Sequence, residues 1–149
     1  MNNITNVILH KPQENNKQTV SPVNIQIWIE RGTVLESKVI EPKLMWSVVN
    51  GTIQKPMSIP LMDIYRILPL FSVDRVKYPF ARTQNTFLIR SASHGEFLFE
   101  TRNQKERDTI VKLLKLVIAR LASQAFVNDS SIFEDYFQVN VSLTHDKIR

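Results

Sequence analysis

The chain has 149 residues, no cysteine and a formal net charge of +5, with 43% hydrophobic and 22% charged side chains. That length and composition suit one globular domain with a real core, and the missing cysteines exclude disulfides, thiolate zinc sites and a cysteine nucleophile, in keeping with a reducing compartment. No apolar run is long enough for a bilayer and the first residues lack the pattern of a signal peptide, so a cytoplasmic protein is expected, with any membrane contact peripheral.

Residues 1–22 are rich in Asn, Gln and Lys and contain Pro12 and Pro22. They read as a flexible leader in which Val7, Ile8 and Leu9 offer at most an edge strand. "VNIQIWIERGTVLES" then alternates: Val23, Ile25, Ile27 and Ile29 point one way, and Asn24, Gln26, Trp28 and Glu30 the other. That is the pattern of a half-buried strand, with Gly32 as a bulge or bend inside it. "KLMWSVVNG" is the next strand, with Leu44, Trp46 and Val48 on one face and Asn50-Gly51 as a hairpin turn. "MSIPLMDIYRILPL" is a further strand region, which Pro60 and Pro69 confine to sheet edges or break. A polar connection, "SVDRVKYPFARTQ", leads to a second hairpin, "TFLIRSASHGEFLFET", around His94-Gly95.

A long helix follows. Asn103 and Glu106 have capping-box spacing, with Thr101 and Gln104 as a rival start. Ile110, Leu113, Leu114, Val117, Leu121 and Ala125 recur at helical spacing as an apolar face, while Asp108, Lys112, Lys115 and Ala119 fall opposite. Residues 128–149 form an acidic and aromatic tail. Strands first and one helix last predict a mainly β fold, a sheet sandwich or partly open barrel with the helix packed on one end.

In this order, "ERGTVLES", "KLMWSVVNG", "SIPLMDIYRILP" and "FLFETRNQKERDTIVKLLKLVIARL" resemble the pleckstrin-homology (PH) superfamily over roughly residues 24–126. The resemblance implies a PH-like domain over 23–127, a seven-stranded bent sandwich capped by the C-terminal helix, after the leader of 1–22 and before the tail of 128–149. It also implies a noncatalytic interaction module of adaptor or scaffold type. Two features depart from the family pattern. No tryptophan lies between Lys105 and Val127, and the leader and the Pro-rich 55–80 stretch are unlike a compact member.

Catalytic and cofactor motifs are not written in the sequence. Gly32, Gly51 and Gly95 are too far apart for a phosphate-cradling loop. His10, His94 and His145 are not at metal-ligand spacing, and His94 reads as a turn residue. No enzyme activity, metal, cofactor or small-molecule substrate is expected.

Binding is the expected role, and the charge is unevenly spread. Residues 31–90 carry a net of +5, residues 104–125 a net of +3 and residues 126–149 a net of −2. By the resemblance, a phosphoinositide head group would be met by Lys38 and Lys43. Met45 and Ser47 then stand where a later basic residue would help, and Glu36 and Glu41 oppose. "VDRVKYPFAR" interleaves Arg75, Lys77 and Arg82 with Tyr78 and Phe80. That mixture suits a membrane-surface or partner contact or stacking on a base, or a loop whose aromatics are anchors and whose charges face water. The resemblance further implies an extended peptide added to an open sheet edge beside the helix, as in phosphotyrosine-binding-like relatives. Phe133 and Phe137 in the tail are partner-contact candidates or cover for that groove. A protein or peptide partner is therefore expected, anionic lipid is the alternative, and nucleic acid is not expected.

Overall fold

Alternating apolar residues become the inner face of one sheet. The computed structural model describes residues 4–14, 18–36, 38–49 and 55–128. The described strands are β1 (Thr5–His10), β2 (Val23–Glu30), β3 (Thr33–Leu35), β4 (Lys38–Ile40), β5 (Lys43–Val48), β6 (Met57–Pro60), β7 (Ile64–Pro69), β8 (Thr86–Ser91) and β9 (Gly95–Glu100), followed by the helix α1 (Gln104–Asn128). Seven strands form one antiparallel sheet in the order β6-β5-β2-β1-β9-β8-β7, and β3 and β4 pair separately. The sheet is not closed, and β6 and β7 are its edges.

The edges follow from proline. Pro60 ends β6 and Pro69 ends β7. The Leu70 N–H donates to the Thr86 carbonyl at 3.1 Å, so the N–H that Pro69 lacks falls on the outward side, where no ladder bond is lost. Gly32 sits where the long β2–β5 hairpin narrows. A side-chain carbon there would lie 2.5 Å from the Ile40 carbonyl oxygen and 2.8 Å from Pro42 Cδ, so this approach requires glycine.

The leader behaves differently from the expectation. Thr5–His10 is a central strand, paired with β2 on one side and β9 on the other. Val7 and Leu9 face the core, which offsets the polar composition around them. The strand expected to open the domain, β2, is thus second in chain order. The hairpin turn expected at Asn50-Gly51 and the tail with Phe133 and Phe137 lie outside the described residues.

The core on the inner face centres on aromatic rings. Trp46 meets Phe97 and Phe99 edge-on at 5.0 and 5.4 Å, and Phe87 stacks on Phe99 at 5.3 Å. Ile25, Ile27, Leu44, Ile59 and Ile89 fill the space around them. On the other face, a second cluster joins Leu88 and Leu98 to Tyr78 and Ala81 of the loop after β7.

By its contacts the chain forms two compact units, Met1–Leu114 and Lys115–Arg149; the described part of the second is helical to Asn128. In the first unit, α1 starts where the capping spacing predicts. Asn103 Oδ1 accepts the Glu106 N–H at 2.8 Å. The reciprocal half of the box is not made, because the Glu106 carboxylate goes to Arg102 at 3.1 Å. Thr101, the rival cap, is used upstream, its hydroxyl donating to the Asn85 and Asn103 carbonyls.

The helix is rotated from the expected phase. Arg107, Val111 and Leu114 are buried, whereas Leu113, expected inside, is 53% exposed. The cause is Arg107. Its guanidinium donates to the carbonyls of Leu70 at 3.1 Å and Thr83 at 3.4 Å and also pairs with Asp108. An arginine committed to two loop carbonyls sets which side of the helix faces inward.

Candidate functional site

The basic residues singled out in the sequence do not form one patch. Lys43 pairs with Glu30, beyond the Ile27 position that pairs with Thr5 at the start of β1. Lys77 lies against Glu96, before the Leu98 position that pairs with His10 at the end of β1. The two lysines therefore sit toward opposite ends of the strand direction. Lys38 lies near the β3–β4 tip, paired with Leu35.

Within the loop after β7, the charges serve the loop itself. The Arg75 guanidinium donates to the Ala81 carbonyl and to Thr83 Oγ1. Asp74 accepts the N–H groups of Val76 and Lys77. Lys77 and Arg90 both pair with Glu96, at 3.2 and 3.1 Å. Burial alone would push the Glu96 carboxyl up, but these two cations outweigh it and the net shift is downward. Tyr78 is buried and its hydroxyl donates to the same carboxylate at 3.3 Å. Burial, then the Glu96 charge, pushes the Tyr78 phenol up to about 12. Tyr78 is thus the loop's anchor. Phe80 is half-exposed and Arg82 exposed, both at the rim of a cleft on the outer face of the sheet.

Asp63 is a residue that sequence reading passed over. It ends the single 3₁₀ turn between β6 and β7 and accepts hydrogen bonds from the Ser91 hydroxyl, the Ser93 N–H and the Ser93 hydroxyl. His94 Nδ1 lies 3.4 Å from the same carboxylate. Donation by Ser91, then by the Ser93 N–H, holds the Asp63 carboxyl down at about 2.

Asp, His and Ser side by side invite comparison with a nucleophile relay. Here, however, His94 Nδ1 faces both Ser91 Oγ and Asp63, and the Ser91 hydroxyl is directed to the aspartate. A relay needs serine and carboxylate on opposite ring nitrogens. The cluster instead staples the β6–β7 link to the β8–β9 turn, where Gly95 takes φ +84°. Among the described residues no three His, Asp or Glu side chains form a metal site, and no helix there is long and apolar enough to cross a membrane.

The remaining feature with binding chemistry is the edge at β7. Among the described residues this strand pairs only with β8, so its other side has no strand partner there and presents backbone groups for pairing. A register irregularity between Ile64 and Arg66 turns Tyr65 outward, 67% exposed. Ile64 and Ile67 anchor the strand in the core, and Phe71, just past its end, is 91% exposed. Arg107 ties the end of this edge to the first turns of α1 through the Leu70 carbonyl. The edge is thus an open backbone template with a large apolar side chain at each end and a rigid attachment behind it.

No family model matches the chain, and no curated protein matches it.

Proposed function

We propose that the chain is a noncatalytic PH-like interaction module, of adaptor or scaffold type, which captures an extended segment of a cytoplasmic protein partner along β7. The unpaired β7 edge, flanked by exposed Tyr65 and Phe71, is the observation that carries this reading. Seven antiparallel strands followed by one helix also support it, being the arrangement that the sequence resemblance implies. An added strand gains main-chain hydrogen bonds from the edge and selectivity from alternate side chains. Pro69 offers no N–H, so the ladder is short and centres on Tyr65 to Ile67. Recruitment by anionic lipid draws less support, because Arg75 and Lys77 have internal partners and Lys43 lies toward the other end of the strands.

The test is selection of binders from a displayed library of extended peptides, followed by ¹⁵N-¹H mapping. Bound peptides are expected to shift the amides of residues 64–70, and Tyr65→Ala is expected to weaken capture. Binders that map elsewhere, or that ignore Tyr65→Ala in a folded variant, would sink this reading. Retention on anionic vesicles that fades with salt and with Lys77→Glu would favour the lipid alternative.

A further inference from the structure

The outer face of the sheet carries a cleft of about 720 Å³, within the range of small-molecule sites. Its floor is a row across three strands, Asn24, Ile8 and Glu100, which pair in register on β2, β1 and β9. Val49 and Phe80, each about half-exposed, are apolar walls, and Arg82 and Arg102 stand at the rim.

Two observations mark this as more than a surface depression. The first is a buried polar pair at its base. Glu100 Oε1 meets His10 Nε2 at 3.0 Å and accepts the Arg82 N–H at 2.8 Å. A buried carboxyl group thereby fixes the backbone of one rim residue, and its own position is held by the histidine. The second concerns the arginines. Arg75, Arg90, Arg102 and Arg107 all have side-chain partners. The Arg82 guanidinium, like those of Arg31, Arg66 and Arg120, has none among the described residues, but of these four only Arg82 lines the cleft, where Glu100 holds its backbone. A pinned backbone with a free planar cation beside apolar walls is preorganised for a carboxylate or phosphate.

We propose that this cleft binds a small amphipathic anion, its carboxylate or phosphate on Arg82 and its apolar body against Ile8, Val49 and Phe80. The site is separate from the β7 edge and does not rest on the function proposed there. The apolar part matters as much as the charge. A bare anion would find only one unpaired guanidinium, whereas a ring or short chain gains burial against three side chains.

Phenyl phosphate is the probe, titrated into the ¹⁵N-labelled full chain, with benzoate, inorganic phosphate and phenol in parallel. Shifts are expected at the amides of Ile8, Asn24, Arg82 and Glu100, with saturation by phenyl phosphate, benzoate or both. Inorganic phosphate and phenol should each bind at least about tenfold more weakly than the better probe, a difference of about 1.4 kcal/mol. Arg82→Gln is expected to weaken that probe at least about tenfold, Arg82→Lys to recover part of the loss, and Arg31→Gln to change nothing. Phe80→Ala should weaken phenyl phosphate and leave inorganic phosphate as it was. The proposal is overturned if neither aromatic anion shifts the cleft amides up to about 10 mM. It is equally overturned if inorganic phosphate binds as tightly as phenyl phosphate, or if folded Arg82→Gln binds like the parent.

Discussion

Replacing Arg107 with alanine tests the helix attachment most directly. The side chain is 3% exposed and serves three acceptors. They are not equivalent. The Thr83 carbonyl also receives the Thr86 hydroxyl at 2.9 Å and the Thr86 N–H, so it keeps partners in the variant. Asp108 is about half-exposed and returns to water, at little net cost. The Leu70 carbonyl depends on the guanidinium, and a lost hydrogen bond to a charged group costs about 1.5–3 kcal/mol. The buried aliphatic stem adds about 1 kcal/mol. Arg107→Ala should therefore lose about 2–4 kcal/mol, or roughly 5–15 °C in Tm for a chain of this size. Urea unfolding followed by tryptophan fluorescence gives the number, since Trp46 lies in the core. Arg107→Lys keeps the charge without the planar fork and should recover less than half. A loss below about 1 kcal/mol for Arg107→Ala would refute the claim that this arginine anchors the helix.

Other consequences can be measured with the same tools. Leu114→Ala should cost about 2–5 kcal/mol, whereas Leu113→Ala should stay within about 0.5 kcal/mol, because only Leu114 is buried; the reverse order would reject the helix phase. The Asp63 carboxyl sits at about 2 against an ordinary 3.8, so its stabilisation is present above pH 3.8 and lost as pH falls through 2. Asp63→Asn should accordingly flatten the stability-versus-pH curve between those values and speed hydrogen exchange at Ser93. The Tyr78 phenol, pushed up from 10 to about 12 by burial and then by Glu96, contributes stability that is complete below pH 10 and lost as pH rises through 12. Ultraviolet titration should show a late phenolate step that Tyr78→Phe removes.

The parts of the fold readable from sequence were those set by neighbours along the chain. Alternation marked β2 and β5, the Asn103-to-Glu106 spacing marked the helix start, and Pro60 and Pro69 marked the edges. What escaped was set by partners far away. β1 is six residues in a polar stretch, and its central place depends on β9. The helix phase depended on carbonyls 37 and 24 residues before Arg107, so apolar periodicity alone misjudged Leu113. Asp63 gains its role from Ser91 and Ser93 across about thirty residues. The loop cations had the same difficulty in reverse. Arg75 and Lys77 looked available because their partners, the Ala81 carbonyl and Glu96, are not evident from spacing. Arg82 stood in the same list, and only the geometry separates it from them.

The seam between β1 and β9 has a kinetic consequence. On one side of it the strands β1, β2, β5 and β6 join in chain order, and on the other β7, β8 and β9 do the same. Each half can close through connections far shorter than the span between the halves, the longest being residues 70–85. Their strands are joined only through β1–β9 pairs such as Leu9 with Phe99, backed by His10 with Glu100, and each of these pairs is 90 residues apart in sequence. Closure over such a span carries a larger entropic cost than any hairpin. β1 must therefore wait for β9 before its second edge is covered.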